Sequence, residues 1–373
     1  MRLLSIKCLT IWSNINRLCY NTPLNSMPMA VRMCSTKPAI LQNITKKVNP
    51  FGKLIIDLPF NVEIKPTNPH EYPDMDTLLV KLFSKSSLPM INKSEIISVN
   101  VSSVCDIRTI DTENNLNDIS CIIEAPIGYD IEAKTIGEGD VCISDMVSNT
   151  INVQTEYGNI IVSKLQGKEI SLSASEGGSI TLKKSIQGDI EINTAKDGVN
   201  IINYYTVDAE KCLGTRLDIS TENGDVNVGS NYCEKSTFST LNGNLLLNNL
   251  HMDSAIDING NGSLNITCLD GSLQANLQEG LAKIQVVRIT NDSLIQSSGE
   301  IHLNIPEDID AKLALISGKN LDIDPHISGK FSADGKQFTN DSNGHEFHVE
   351  TSDIIRVSQT SWMESLKLGK CSK

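Results

Sequence analysis

A chain of 373 residues with a net charge of −13 and 4% aromatic residues has room for one or two domains. It carries too much negative charge for nucleic-acid backbone binding to be its main role. No run of 18 apolar residues occurs, so no transmembrane segment is expected.

The charge is unevenly spread. Residues 1–56 contain no Asp or Glu but hold Arg2, Lys7, Arg17, Arg32, Lys37, Lys46, Lys47 and Lys53. The other 24 of the 32 basic residues face all 45 acidic ones in the remainder. An acid-free, Arg-containing, Ser-bearing start predicts a mitochondrial transit peptide over 1–34 and residence in the matrix. Leu3, Leu4, Ile6 and Leu9 would form the apolar side of its helix. Lys7, Asn14 and Arg17 interrupt the apolar run that a secretory signal needs. Arg32-Met33-Cys34-Ser35 supplies a processing point, and 35–50 reads as a linker.

Residues 51–126 predict a small N-terminal β cap. Its strands are Leu54-Ile55-Ile56-Asp57-Leu58, Asn61-Val62-Glu63-Ile64-Lys65, Leu78 to Phe83, Ile96 to Val101 and Ile119 to Glu124, interrupted by Pro59, Pro66, Pro69 and Pro73.

A repeat then dominates the chain, from Gly128 to Ile305 within a segment set at 127–325. Paired aliphatic residues two apart recur about every ten positions: Ile131/Ala133, Val141/Ile143, Ile151/Val153, Ile160/Val162, Ile170/Leu172, Ile180/Leu182, Ile190/Ile192 and Val199/Ile201. After an irregular patch at Asn203 to Arg216, the pairs resume at Leu217/Ile219, Val226/Val228, Leu245/Leu247, Ile256/Ile258, Leu264/Ile266, Leu273/Ala275, Ile284/Val286 and Ile301/Leu303. A spacing of two puts both side chains on one face of a strand. Gly139, Gly158, Gly178, Gly224, Gly243, Gly262 and Gly299 step by roughly 19–20 residues, often followed by Asp, Asn or Ser, and read as turns with positive φ. One repeat therefore holds two short strands and two turns.

The fold class is all-β: a single-stranded β-helix or solenoid with rungs of roughly 19–20 residues. A rung buries only about four aliphatic side chains, roughly 1.5–3 kcal/mol each. It must order some 20 residues at about 1–2 kcal/mol apiece, so only stacked rungs are stable. A β-sandwich, the rival reading, predicts hairpins and uneven loops. Within the irregular patch Val207 and Ala209 can still fill a strand slot. Residues 326–373 are expected to close the far end, with a hairpin from Glu346–Glu350 and Ile354–Val357 and a short amphipathic helix at Trp362–Leu368.

Few residues suggest chemistry. The ten cysteines are scattered without a CxxC, so no zinc spacing is present, and single cysteines suit reduced thiols. His345 and His348, three apart, point to opposite faces of a strand. Asp140, Asp189 and Asp225 follow or adjoin glycines, but they lack the nine-residue rhythm of calcium rolls. Glu132 with Asp140, and Asp189 with Glu191, are carboxylate pairs on faces that are ordinarily solvated. No nucleophile elbow or P-loop occurs. The expectation is no catalytic residue, no cofactor and no metal. Tyr204 and Tyr205 are the candidates for a partner-binding edge, with a loop packing its own tyrosines as the plainer reading.

The Gly-Asp-Val/Ile-x-Val rhythm resembles bacterial adhesin-type β-solenoid domains of unassigned function. Over residues 49–368 the resemblance extends to an animal family, the family with sequence similarity one hundred eighty-five. Asn49-Pro50-Phe51-Gly52-Lys53-Leu54, Tyr72-Pro73-Asp74, Gly299-Glu300-Ile301, Ser317-Gly318-Lys319 and Ser361-Trp362 with Ser365-Leu366-Lys367-Leu368 carry it. The resemblance implies a β-solenoid and brings no catalytic or ligand residues. The function expected is a non-enzymatic scaffold binding a protein or other cationic partner. The alternatives are a carbohydrate-active β-helix enzyme and an adhesion module.

Overall fold

The computed structural model describes residues 39–84, 95–110, 118–194 and 206–360. These residues form 28 strands and no helix. The sequence pairs become two parallel ladders. In the first, Ile131, Ile151, Ile170, Ile190 and Leu217 are successive partners. In the second, Val141, Ile160, Ile180, Val207, Val226, Leu245, Leu264, Ala282 and Ile301 line up in turn. Both rows point inward, where their side chains join one continuous buried cluster. The sandwich reading fails because in-register parallel pairing, not hairpins, links each repeat to the next.

The two strands of a repeat are not always separate. Ile160–Ala174 and Ile180–Thr194 are each single bent strands. The bend falls at Lys164 and Lys184, with φ of 52° and 66°, and Asp145 holds the equivalent place one tier earlier at 57°. A third line of inward residues follows this corner, running Leu165, Ile186, Cys212, Asn231, Leu250 and Leu269.

The patch after Thr194 is an insertion into an otherwise regular ladder. Ile180 pairs directly with Val207, and the turn spans 27 residues here rather than 19 or 20. Val207 and Ala209 occupy the strand slot expected of them. Val199 and Ile201 lie outside the described residues.

The recurring turn is built by side chains that reach the next tier. Asp140 accepts hydrogen bonds from the backbone and side-chain amides of Asn159, at 2.7 and 3.1 Å. Asn159 then accepts from the Ser179 backbone at 2.8 Å. Asp225, Asn244 and Ser263 repeat the chain of bonds further along. A buried threonine closes the same turn: Thr135 donates to the Gly139 carbonyl and Thr155 to that of Gly158, both at 2.7 Å. The Gly-Asp and Gly-Asn pairs thus spend their polar groups on stacking.

Most of the turn glycines serve a different need from the one expected. Gly178 has the positive φ expected of it, at 110°, but Gly139, Gly158, Gly224, Gly243, Gly262 and Gly299 do not, nor does Gly280. They stack. A Cβ on Gly158 would lie 1.9 Å from the Gly139 carbonyl oxygen, and one on Gly243 would lie 1.9 Å from that of Gly224. Space, not backbone conformation, excludes a side chain there.

Both ends depart from sequence order. Lys53–Leu58 and Asn61–Pro66, expected in a cap, extend the ladders by pairing parallel with Asp130–Thr135 and Val141–Ser144. Val104–Thr109 and Ile119–Ala125 come later in the chain but lie outside that tier. Antiparallel strands then cover the end: Thr77–Ser84 on Ile119–Ala125, Ala39–Lys47 on Thr77–Ser84, and Ile97–Val101 on Val104–Thr109. The segment 35–50, read as a linker, therefore contains an edge strand.

At the far end the expected hairpin is not formed. His345–Thr351 lies between Ser293–Ser297 and Ala311–Ser317, and Ile354–Thr360 lies between Ile301–Pro306 and Asn320–Ile323, all parallel. The short Ser352-Asp353 link carries the chain from one ladder to the other, so the two strands extend separate rows. The last described tier is inserted between two earlier ones. The helix expected at Trp362–Leu368 and the transit peptide expected at 1–34 lie outside the described residues.

Cys121, Cys212 and Cys233 are buried, which pushes each thiol up to about 12. Burial also raises the Tyr129 hydroxyl, which donates to the Asn49 carbonyl at 2.8 Å. A folded-state value above the unfolded one gives stability that is complete below the unfolded pKa, near 9 for the thiols, and is lost as pH rises toward the folded value. The melting temperature is therefore expected to hold through neutral pH and fall from about pH 9 upward. Thermal melts of the parent and Cys212→Ala from pH 7 to 11 check this, and the variant should fall less steeply.

Candidate binding face

The outer face of the first ladder is a long surface of regular register. Strand alternation places every second side chain outside, and parallel register arranges these into two columns. One column runs Asn152, Ser171, Glu191, Asp218, Thr237, Ala255, Gln274 and Leu294. The other runs Gln154, Ser173, Asn193, Ser220, Ser239, Asp257, Asn276 and Gln296. At about 4.8 Å per tier they extend for roughly 34 Å. From Asn152 to Gln296 neither contains a lysine, an arginine or an aromatic residue, but the preceding tier places Glu132 and Lys134 at their head.

Its acids are largely engaged. Asp218 pairs with Arg216. Asp257 accepts from the side-chain amides of Asn259 and Asn276, at 3.0 and 3.2 Å. The second ladder presents a different outer surface. There Lys283, His302 and Arg356 are successive partners, and Glu300 is 2.9 Å from Arg356 and 2.8 Å from His302.

Hollows lie along the first face. One of about 440 Å³ is bounded by Asn276, Gln296, Ser297, Ser317, Glu350 and Thr351. A second, of about 210 Å³, adjoins it through Asn276 and Gln296 and reaches Thr237, Ala255 and Gln274. A third, of about 410 Å³, lies toward the other end beside Lys134, Gln154, Glu156 and Ser173.

The residues singled out from sequence do not converge on this face as a reactive site. Tyr204 and Tyr205 lie outside the described residues. His345 is exposed and sits 3.7 Å from Asp292, whereas His348 sits 3.7 Å from Glu346. Glu132 forms an ion pair with Lys53 at 2.6 Å. Asp140 is engaged with Asn159, and Asp189 accepts from the Thr215 hydroxyl. Among the described residues no three His, Cys, Asp or Glu side chains gather as a metal would need. The face itself was missed because single serines and asparagines carry no motif. Only the register shows that they align.

No family model matches the sequence. Several solved structures are similar to the chain, three of them as follows. One from Parabacteroides merdae, described as a "putative adhesin", is 10% identical, covering 88% of this chain and 97% of its own, with a TM-score of 0.35. One from Parabacteroides distasonis, described as a "putative lipid binding protein", is 11% identical, covering 87% and 98%, with a TM-score of 0.32. Another from that organism, a "putative adhesin", is 8% identical, covering 85% and 96%, with a TM-score of 0.34. At such identities and scores the likeness assigns this chain neither a ligand nor an activity.

Proposed function

We propose that the chain is a non-catalytic binding scaffold: a solenoid of stacked tiers whose working surface is the outer face of the first ladder. The observation that supports this is the pair of largely uncharged polar columns with hollows along them. Stacking gives such a face its rigidity, because each tier is fixed by its neighbours through backbone pairs and turn side chains. A surface held this way binds with little ordering cost.

Photocrosslinking in cells tests the reading. A photoreactive residue at Thr237 or Gln274 is expected to form an adduct, and one at Asn227 or Asn265, exposed on the second ladder, is not. No adduct at any position, or equal adducts on both ladders, would overturn it. The address is decided separately by the mature N-terminus. Cleavage near Ser35 with matrix neighbours would establish import. An intact or N-glycosylated chain would favour the adhesion module.

A further inference from the structure

Building on that binding face, we propose that its ligand is an extended, uncharged glycan lying along the ladder across several tiers. Charge narrows the choice first. Between Asn152 and Gln296 the two columns hold three acids and no base, with Lys134 only at their head, and the chain is at −13. Nucleic acids, sulfated or uronic polymers and anionic membrane surfaces are therefore repelled. A second copy of the chain would set the same acids against themselves, which is destabilising. A cationic partner would need several free carboxylates, yet Asp218 is held by Arg216 and Asp257 by two amides, which leaves Glu191 as the one unengaged acid among the described column residues between Asn152 and Gln296. The cationic ligand expected from net charge therefore finds few free carboxylates on this face.

What the face does offer is neutral hydrogen-bonding capacity. The side chains of Asn152, Gln154, Ser171, Ser173, Thr237 and Gln296 make no side-chain hydrogen bond among the described residues and stand ready for a ligand. Amides and hydroxyls both donate and accept, which is what a polyhydroxylated chain requires of its site. Ala255 and Leu294 add small apolar patches between them, suited to the C–H faces of sugar rings. The repeat matters most. A further pair of outward side chains follows about every 4.8 Å, close to the length of one unit in an extended glycan, so each added sugar meets a further tier. With no aromatic platform each unit binds weakly, and affinity comes from length.

The test is titration calorimetry on the full chain with linear oligosaccharides of glucose, mannose, galactose and N-acetylglucosamine, each as two-unit and six-unit forms. A six-unit polygalacturonate serves as the anionic control. At least one neutral six-unit glycan is expected to bind ten times or more tighter than its two-unit form. The anionic control should not bind. The double variant Thr237→Lys with Gln274→Lys should lose binding at least tenfold, while Asn227→Lys leaves it unchanged. Absence of binding by every neutral glycan, no gain with length, equal binding of the polyanion, or an unaffected double variant would each overturn the proposal. If crosslinks still form at Thr237, the glycan is wrong and the binding face stands. If they do not, the face itself is wrong.

Discussion

Removal of residues 343–360 is expected to abolish stable folding of the far end, although only the chain's last described strands are lost. A normal terminal hairpin could fray without consequence. Here the deleted strands are the middle of a stack, because His345–Thr351 separates Ser293–Ser297 from Ala311–Ser317 and Ile354–Thr360 separates Ile301–Pro306 from Asn320–Ile323. Their loss leaves the outermost tier without a parallel partner and opens two long edges. Phe347, Val349, Ile355 and Val357 are all buried. At roughly 1.5–3 kcal/mol each, their burial contributes about 6–12 kcal/mol, comparable with the whole stability of many domains. Unpaired edges also invite association, so the truncated chain should elute as soluble aggregates in size-exclusion chromatography. A synthetic peptide of residues 343–360, added during refolding, should restore the monomer by strand addition.

An internal deletion makes the contrast. Removing one 19-residue period, Val226 to Asn244, brings Val207 into register with Leu245 and leaves both ladders continuous. That variant is expected to fold, with a lower denaturant midpoint and a smaller m-value because less surface is buried. A monomeric truncated chain with an unchanged midpoint would show that the inserted tier is dispensable.

The contrast also marks how far the sequence could be read. The period was visible because Ile, Val and Leu pairs face the core at regular steps. It broke where polar residues took inward positions. Asn231–Thr240 shows no aliphatic pair because its buried positions are Asn231, Cys233, Ser236, Phe238 and Thr240. Asn231 is tolerated there because its amide donates to the Ser236 hydroxyl at 2.6 Å and its carbonyl accepts the Cys233 backbone N–H at 3.1 Å. Ser293–Ser297 was hidden in the same way by Ser293. One 19-residue period on from Leu217 lands on Ser236, so the period itself is a better guide than hydrophobicity. The ends were illegible for another reason. Which tier lies next to which is decided by long-range pairing, and Lys53–Leu58 reads as a strand whether it caps or extends a ladder. The residues of the candidate face stand in the sequence, but only register, a property of tertiary pairing, groups them.

Replacing Gly280 by alanine is expected to destabilise the chain more than most exposed-turn substitutions, for a reason that can be separated from backbone strain. A Cβ at Gly280 would stand 1.7 Å from the Gly262 carbonyl oxygen and 2.6 Å from its carbon. The atoms in the way are backbone, tied into the same parallel stack, and cannot swing aside as a side-chain tip could. The tier cannot retreat either, because a Cβ on Gly299 would in turn meet the Gly280 carbonyl at 2.3 Å. The column is therefore crowded from both sides, and overpacking of this kind costs about 1–3 kcal/mol or more. Gly335 supplies the comparison. Its Cβ would meet nothing within 4 Å, but its φ is +70°, a conformation that alanine disfavours by roughly 1–2 kcal/mol and asparagine tolerates. Urea denaturation of Gly280→Ala, Gly280→Asn, Gly335→Ala and Gly335→Asn distinguishes the two causes. At Gly335 asparagine should recover most of what alanine loses. At Gly280 it should recover nothing, because the missing quantity there is room. Recovery at Gly280 by asparagine would mean that the turn conformation, not the stacked carbonyls, selects glycine along this column.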